Sequence, residues 1–196
     1  MNYRIAWGSL GWVSAGALAE GHHRESIPYQ CLSTDRYRAL LLETLGWYRP
    51  EVNCAQLNLL DSHDVPRALH MLQGDLAALK LALVLLFALP GAPSIYYGTE
   101  AGLSGGEEPA CREAFPWRDP PADLSGFIGS LAQLRRAHPA LRSAELELEP
   151  LGEDGLLLIR DSGSAQRRLV LNRSRDTALA LPDGDQLGPQ DWRLLA

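Results

Sequence analysis

A strand–helix–strand unit constrains this chain more than any other feature. Residues 53–60 form a short apolar run bounded by Pro50 and a charged cluster, and read as a buried strand. Gly74 or Asp75 then starts a helix over residues 76–89, built of strong helix formers with Lys80 as its charged member. A helix apolar nearly all round suits burial between a sheet and other helices. Pro90-Gly91 stops it. Residues 93–97, PSIYY, read as a second buried strand closed by Gly98. Such a unit predicts parallel strands, because the helix carries the chain back to the starting edge.

The first strand ends abruptly. Residues 57–67 read LNLLDSHDVPR, so an apolar run meets Asp61, His63, Asp64 and Arg67 at once. That pattern looks like a buried strand opening into a cleft, the place where an α/β barrel keeps its chemistry. A His-Asp pair at a strand end also reads as a plain loop hydrogen bond. Residues 99–121 follow the second strand without any period and are rich in Gly and Pro. A loop that long inside a compact domain is uncommon unless it is functional.

Elsewhere the chain divides in style. Residues 5–18 predict a helix weakened by Gly8, Gly11 and Gly16. Residues 21–28 read as a polar, solvated connection. Its adjacent His22 and His23 point in different directions and make a poor metal chelate. Ser33 or Thr34 caps a helix with Asp35 in its first turn, and Arg49-Pro50 ends it. Another helix runs from Pro121 or Asp123 to His138-Pro139, with Phe127, Ile128, Leu131 and Leu134 inward. After Leu141 the pattern changes to strict alternation, ELELE at 145–149, then short strands at 156–160, 168–171 and 177–181. The composition shift predicts two domains, residues 1–141 and 142–196.

Composition excludes several functions. A net charge of −6 argues against general nucleic-acid binding. The longest apolar stretch, 76–89, is too short for a bilayer and contains Lys80, so no membrane partner is expected. Cys31, Cys54 and Cys111 show no CxxC spacing, which predicts neither a disulfide framework nor a zinc site. A reducing, cytoplasmic location is the expectation, and no cofactor is implied.

NLLDSHDVPR at 58–67 resembles the seventh-strand motif of the α-amylase superfamily, glycoside hydrolase family thirteen. LPGAPSIYYGTE at 89–100 resembles the eighth-strand motif, and CREAFPW at 111–117 the loop after it. The neopullulanase, cyclomaltodextrinase and maltogenic amylase group is the subgroup most resembled, and Met1-Asn2-Tyr3 resembles the end of its sixth strand. Thr99 stands where the family usually carries an acidic residue, and Val65 replaces a common threonine.

The resemblance implies an α/β fold: the C-terminal part of a (β/α)8 TIM barrel, about strands six to eight, followed by a small antiparallel β-sandwich domain. It implies hydrolysis of α-glucosidic bonds with retention. Asp64 would be the third carboxylate of the site, favouring the positive transition state electrostatically. His63 would donate to a sugar hydroxyl, and Arg67 would orient carboxylates or the same sugar through its planar fork. Asp61 and Glu100 are expected to be structural, and Tyr96 and Tyr97 packing residues. The sequence shows no oxygen-rich ligand cluster and so does not decide calcium use.

The family's nucleophile and acid/base lie on the fourth and fifth strands, ahead of the residues present here. The chain alone is therefore expected to be inactive toward its α-glucan oligosaccharide substrate. Three readings follow: part of a hydrolase, a half-barrel module that docks on an N-terminal fragment, or a carbohydrate-binding remnant.

Overall fold

The βαβ unit is present in the computed structural model, which describes residues 1–24, 27–181 and 184–195. Residues 25 and 26 of the polar connection lie outside the described residues. Helix α1, Tyr3–Val13, is capped by Asn2, whose side chain accepts from Ile5 N at 3.2 Å. It stops short of the expected Leu18 because Ala15 and Gly16 both turn to positive φ, 47° and 91°. β1, His23–Arg24, pairs antiparallel with β2, Ile27–Pro28. Helix α2, Thr34–Gly46, takes its cap from Ser33, as its sequence predicts.

Pro50 does not end α2. It opens a separate helix α3, Pro50–Ala55, where its missing N–H costs nothing. The Asn53 side chain donates to Leu45 O at 2.7 Å and closes the end of α2. The expected strand at 53–60 therefore shrinks to β3, Leu57–Asn58. Helix α4 is Ala68–Met71, and α5 is Leu76–Ala88. Asp75 caps α5, accepting from Ala77 N and Ala78 N at 3.0 Å each. The expected strand at 93–97 reduces to β4, Ala92–Pro93. β3 and β4 are parallel, with Leu57 opposite Ala92, and Asn2 bridges Asn58 in parallel on the other side. Three parallel staves result, in the order Asn2, β3, β4.

Residues 99–121 are irregular apart from a 3-10 turn at Ala110–Arg112. Helix α6, Ser125–Ala137, buries Leu131 and half-buries Phe127, Ile128 and Leu134 against the core. After a 3-10 turn, Pro139–Arg142, come β5, Glu145–Leu151, β6, Gly155–Asp161, and β7, Gln166–Asn172. The strand expected at 177–181 is only β8, Leu179–Ala180. Two further strands, β9, Gln186–Leu187, and β10, Asp191–Leu195, were not expected. The main sheet runs β10-β7-β6-β5, all antiparallel, and β8 pairs with β9. One face, with Leu148, Leu156, Leu158, Leu169 and Leu171, joins the core shared with α1, α2 and α5. The other, with Leu157, Ile159 and Val170, packs on Leu181 and Leu187. β6 is buried on both faces, which explains its unbroken LLLI run.

Two arginines fasten the helical layer to this sheet. The C-terminal carbonyls of α5 have no partner within the helix. Arg160, fully buried on β6, donates to Ala88 O at 2.7 Å and to Ser143 O at 2.6 Å. Arg135 donates to Phe87 O at 2.6 Å and Gly91 O at 2.5 Å. Burial, then Arg135 nearby, pulls the Arg160 pKa below its ordinary value. Arg160→Ala strands the carbonyls but removes a costly buried charge. The net loss is expected to be about 2 kcal/mol, read by urea denaturation.

Candidate active site

The His63-Asp64 dipeptide sits just beyond the C-terminal end of β3. His63 Nε2 lies 3.0 Å from Asp64 Oδ1, and both side chains are partly exposed. Asp64 is held from two directions. Tyr3 Oη, at the start of α1, donates to Asp64 Oδ2 at 3.3 Å and shares a 2.9 Å hydrogen bond with Ser62 Oγ. Ser62 Oγ in turn accepts from Asp64 N at 3.1 Å. The long loop holds the His63 backbone. Arg112 Nε and Cys111 Sγ donate to His63 O at 3.1 and 3.5 Å. Arg112 is itself paired with Glu108 at 3.1 Å. An open hollow of about 310 Å³ lies beside Asp64, lined by Asp64, Pro66, Glu107 and Glu108. Three carboxylates around one hollow favour hydroxyl donors and developing positive charge over anions.

Arg67 stands apart from this hollow. It is fully buried, with its guanidinium 4.3 Å from the Tyr96 ring centroid and 4.8 Å from that of Tyr97. One nitrogen donates to Tyr97 O. Among the described residues its Nε and Nη2 have no hydrogen-bond partner. Gly98 makes room for it: the residue has φ +87°, and a Cβ there would lie 3.2 Å from Arg67 Nη1 and 2.4 Å from Leu103. The contacts of Arg67 make it a brace between the staves. Tyr96 and Tyr97 do pack, against that brace and each other, with ring centroids 4.7 Å apart.

Asp61 is buried and accepts from Ala68 N at 2.9 Å, which fixes the start of α4. Thr99 Oγ1 lies 3.2 Å from both of its oxygens. Burial raises the Asp61 pKa, opposed by the Ala68 N–H, Arg67 and Thr99. An acidic residue at 99 would face this carboxylate, whereas threonine donates to it. Glu100 O accepts from Leu124 N at 2.8 Å and so ties the loop to α6.

Tyr3, Ser62, Cys111 and Arg112 carry no site role in the sequence reading. Each lies in a stretch that resembles a family motif, Tyr3 at a strand end, Ser62 within 58–67 and Cys111 and Arg112 within 111–117, but none is singled out there. Among the described residues no group of three or more His, Cys, Asp or Glu side chains could hold a metal ion. No described helix is long and apolar enough to cross a membrane.

Known proteins resemble this chain in sequence and in fold. Residues 20–143 match the family model for the α-amylase catalytic domain. A cyclomaltodextrinase from a Bacillus species is 32% identical over 162 residues, 82% of this chain and 27% of that protein. The maltogenic α-amylase of Bacillus acidopullulyticus is 32% identical over 154 residues, 76% of this chain and 26% of its own. Among solved structures, the cyclic α-maltosyl-(1→6)-maltose hydrolase of Arthrobacter globiformis superposes with a TM-score of 0.83 at 30% identity, covering 100% of this chain and 43% of that one. A Nostoc punctiforme debranching enzyme gives 0.87 at 28%, covering 99% and 46%. The chain thus spans about a quarter of the length of the curated relatives it matches. With three parallel staves, an antiparallel β-domain behind them and this match, the chain is part of a (β/α)8 barrel with its β-domain and belongs to the α-amylase family.

Proposed function

We propose that this chain is the C-terminal portion of a retaining α-glucan hydrolase, acting on maltodextrin-type oligosaccharides and inactive by itself. The observation that carries the reading is Asp64, held by Tyr3 and Ser62 at the mouth of an open acidic hollow beyond β3. A retaining glycosidase needs a nucleophile and an acid/base about 5–5.5 Å apart. In this reading both come from the preceding part of the barrel. Asp64 adds a third carboxylate that stabilises the oxocarbenium-like transition state and binds sugar hydroxyls. His63 turns its Nε2–H from Asp64, 3.0 Å away, to a hydroxyl of the same sugar. Arg67 acts through the brace it forms with Tyr96 and Tyr97. The domain boundary near residue 142 belongs to this reading too, as does a cytoplasmic location, which is consistent with three cysteines free of disulfides.

A second reading, a half-barrel module that docks on an N-terminal fragment, is favoured by the surface beside the first stave. Met1, Trp47, Tyr48, Val52 and Leu57 are exposed there, and a groove of about 460 Å³ runs between Tyr3 and Trp47. Large apolar side chains gathered at an open sheet edge mark a surface that another segment covers.

The purified 196-residue chain, incubated with maltoheptaose and with β-cyclodextrin, is expected to release no reducing sugar. Release that Asp64→Ala abolishes would show that the chain carries its own nucleophile and acid/base, contrary to the proposal.

A further inference from the structure

His22 does not extend into solvent. Its side chain is 17% exposed and meets His70 of α4, with ring centroids 5.3 Å apart and planes at 78°. The two Nε2 atoms face each other at 3.3 Å. On its other side, His22 Nδ1 lies 3.4 Å from Glu107 Oε1. A carboxylate at Nδ1 holds the proton there, which leaves Nε2 as a bare lone pair directed at His70. This carboxylate–imidazole arrangement is the one that orients metal-ligating histidines. The spacing also fits. Zinc–nitrogen bonds of about 2.0–2.1 Å at a tetrahedral angle put two ligand nitrogens about 3.3–3.4 Å apart. Gly106 leaves the space beside His70 Nε2 without a side chain: a Cβ built there would have that nitrogen as its nearest neighbour, at 3.4 Å.

We propose that His22 and His70 form a two-imidazole chelate for a divalent transition metal of the zinc class, with Glu107 as the carboxylate that orients His22. The sequence pairs His22 with its neighbour His23, a poor chelate. The fold pairs it with His70, 48 positions on. Since the described residues supply no third such ligand, water completes the coordination. The bound ion would clamp α4 to the segment before β1, and through Glu107 to the loop bordering the Asp64 hollow. The two ligands, His22 and His70, have no part in the hydrolysis assignment, and only the orienting Glu107 is shared with the Asp64 hollow, so metal binding stands or falls independently of that assignment.

The test is titration of the metal-free 196-residue chain with ZnCl2, followed by calorimetry and by NMR of the histidine rings. The expected result is saturable binding of one ion, with the rings of His22 and His70 perturbed and those of His63 and His138 unmoved. His70→Gln should weaken binding at least about tenfold, and Glu107→Gln about tenfold. Ring NMR on the unaltered chain decides the matter even if His70→Gln fails to fold. Binding that leaves the His22 and His70 rings unperturbed, or that persists in folded His70→Gln, overturns the proposal. So does no binding at all, which would make the contact an ordinary N–H···N hydrogen bond.

Discussion

Trp12→Ala is expected to cost about 3–5 kcal/mol of stability, the range for deleting a fully buried tryptophan. Trp12 is completely enclosed and joins three parts of the molecule. Its ring stacks on Tyr37 of α2, centroids 5.3 Å apart and planes at 12°. Its indole N–H donates to Thr34 Oγ1 at 3.0 Å, and that hydroxyl donates onward to Glu153 O at 2.5 Å in the turn between β5 and β6. Its carbonyl accepts from Arg173 Nη1 at 3.0 Å, and Arg173 pairs with Asp154 at 2.8 Å. The helical layer and the β-sheet therefore share one anchor. Trp12→Phe keeps the stack but leaves Thr34 without its donor, so about 1–2 kcal/mol is expected. Urea unfolding followed by far-UV circular dichroism measures both. A loss under about 1 kcal/mol for Trp12→Ala would mean that α1 is not held by this joint.

Much of that framework was legible in the sequence, for reasons that are local. Ser33 and Asp75 announce helix starts because their side chains satisfy N–H groups two or three residues on. The alternation at 145–149 shows as a strand because one face is wet. Pro50 misled because proline stops a helix interior but suits a first turn, and only the chain before it decides which. β9 and β10 escaped notice because Gln186–Leu187 is too short to show a period, and in Asp191–Leu195 no residue is fully buried.

The site divides in the same way. His63 and Asp64 are adjacent, so a local motif exposes them. Arg67 reads in the sequence as a residue that orients carboxylates or a sugar, and nothing local shows that it is buried. Its burial depends on two tyrosines and a glycine about 30 positions later, a pairing no local pattern encodes. Tyr3 reaches Asp64 from 61 positions away, and Arg112 reaches His63 from 49. His22, read as a solvated loop residue, is covered by His70 for the same reason.

The second large effect concerns Asp64. In a complete barrel, Asp64→Asn keeps the shape and the bond from Tyr3 but removes the negative charge. Loss of one electrostatic stabiliser of a charged transition state typically lowers kcat by about 10²–10³-fold. Asp61→Asn should behave differently. Asp61 accepts from Ala68 N and Thr99 on the buried side of the loop, so its loss acts on stability and leaves kcat within a few fold.

The most direct measurement joins this chain to the rest of the Bacillus cyclomaltodextrinase barrel, in place of the segment of that enzyme that it matches. Steady-state hydrolysis of maltoheptaose is then followed in the parent chimera and in Asp64→Asn. The account predicts turnover by the parent and a kcat lower by about 10²–10³-fold in the variant, with KM changed far less. A folded, active chimera whose kcat is unchanged by Asp64→Asn would contradict it.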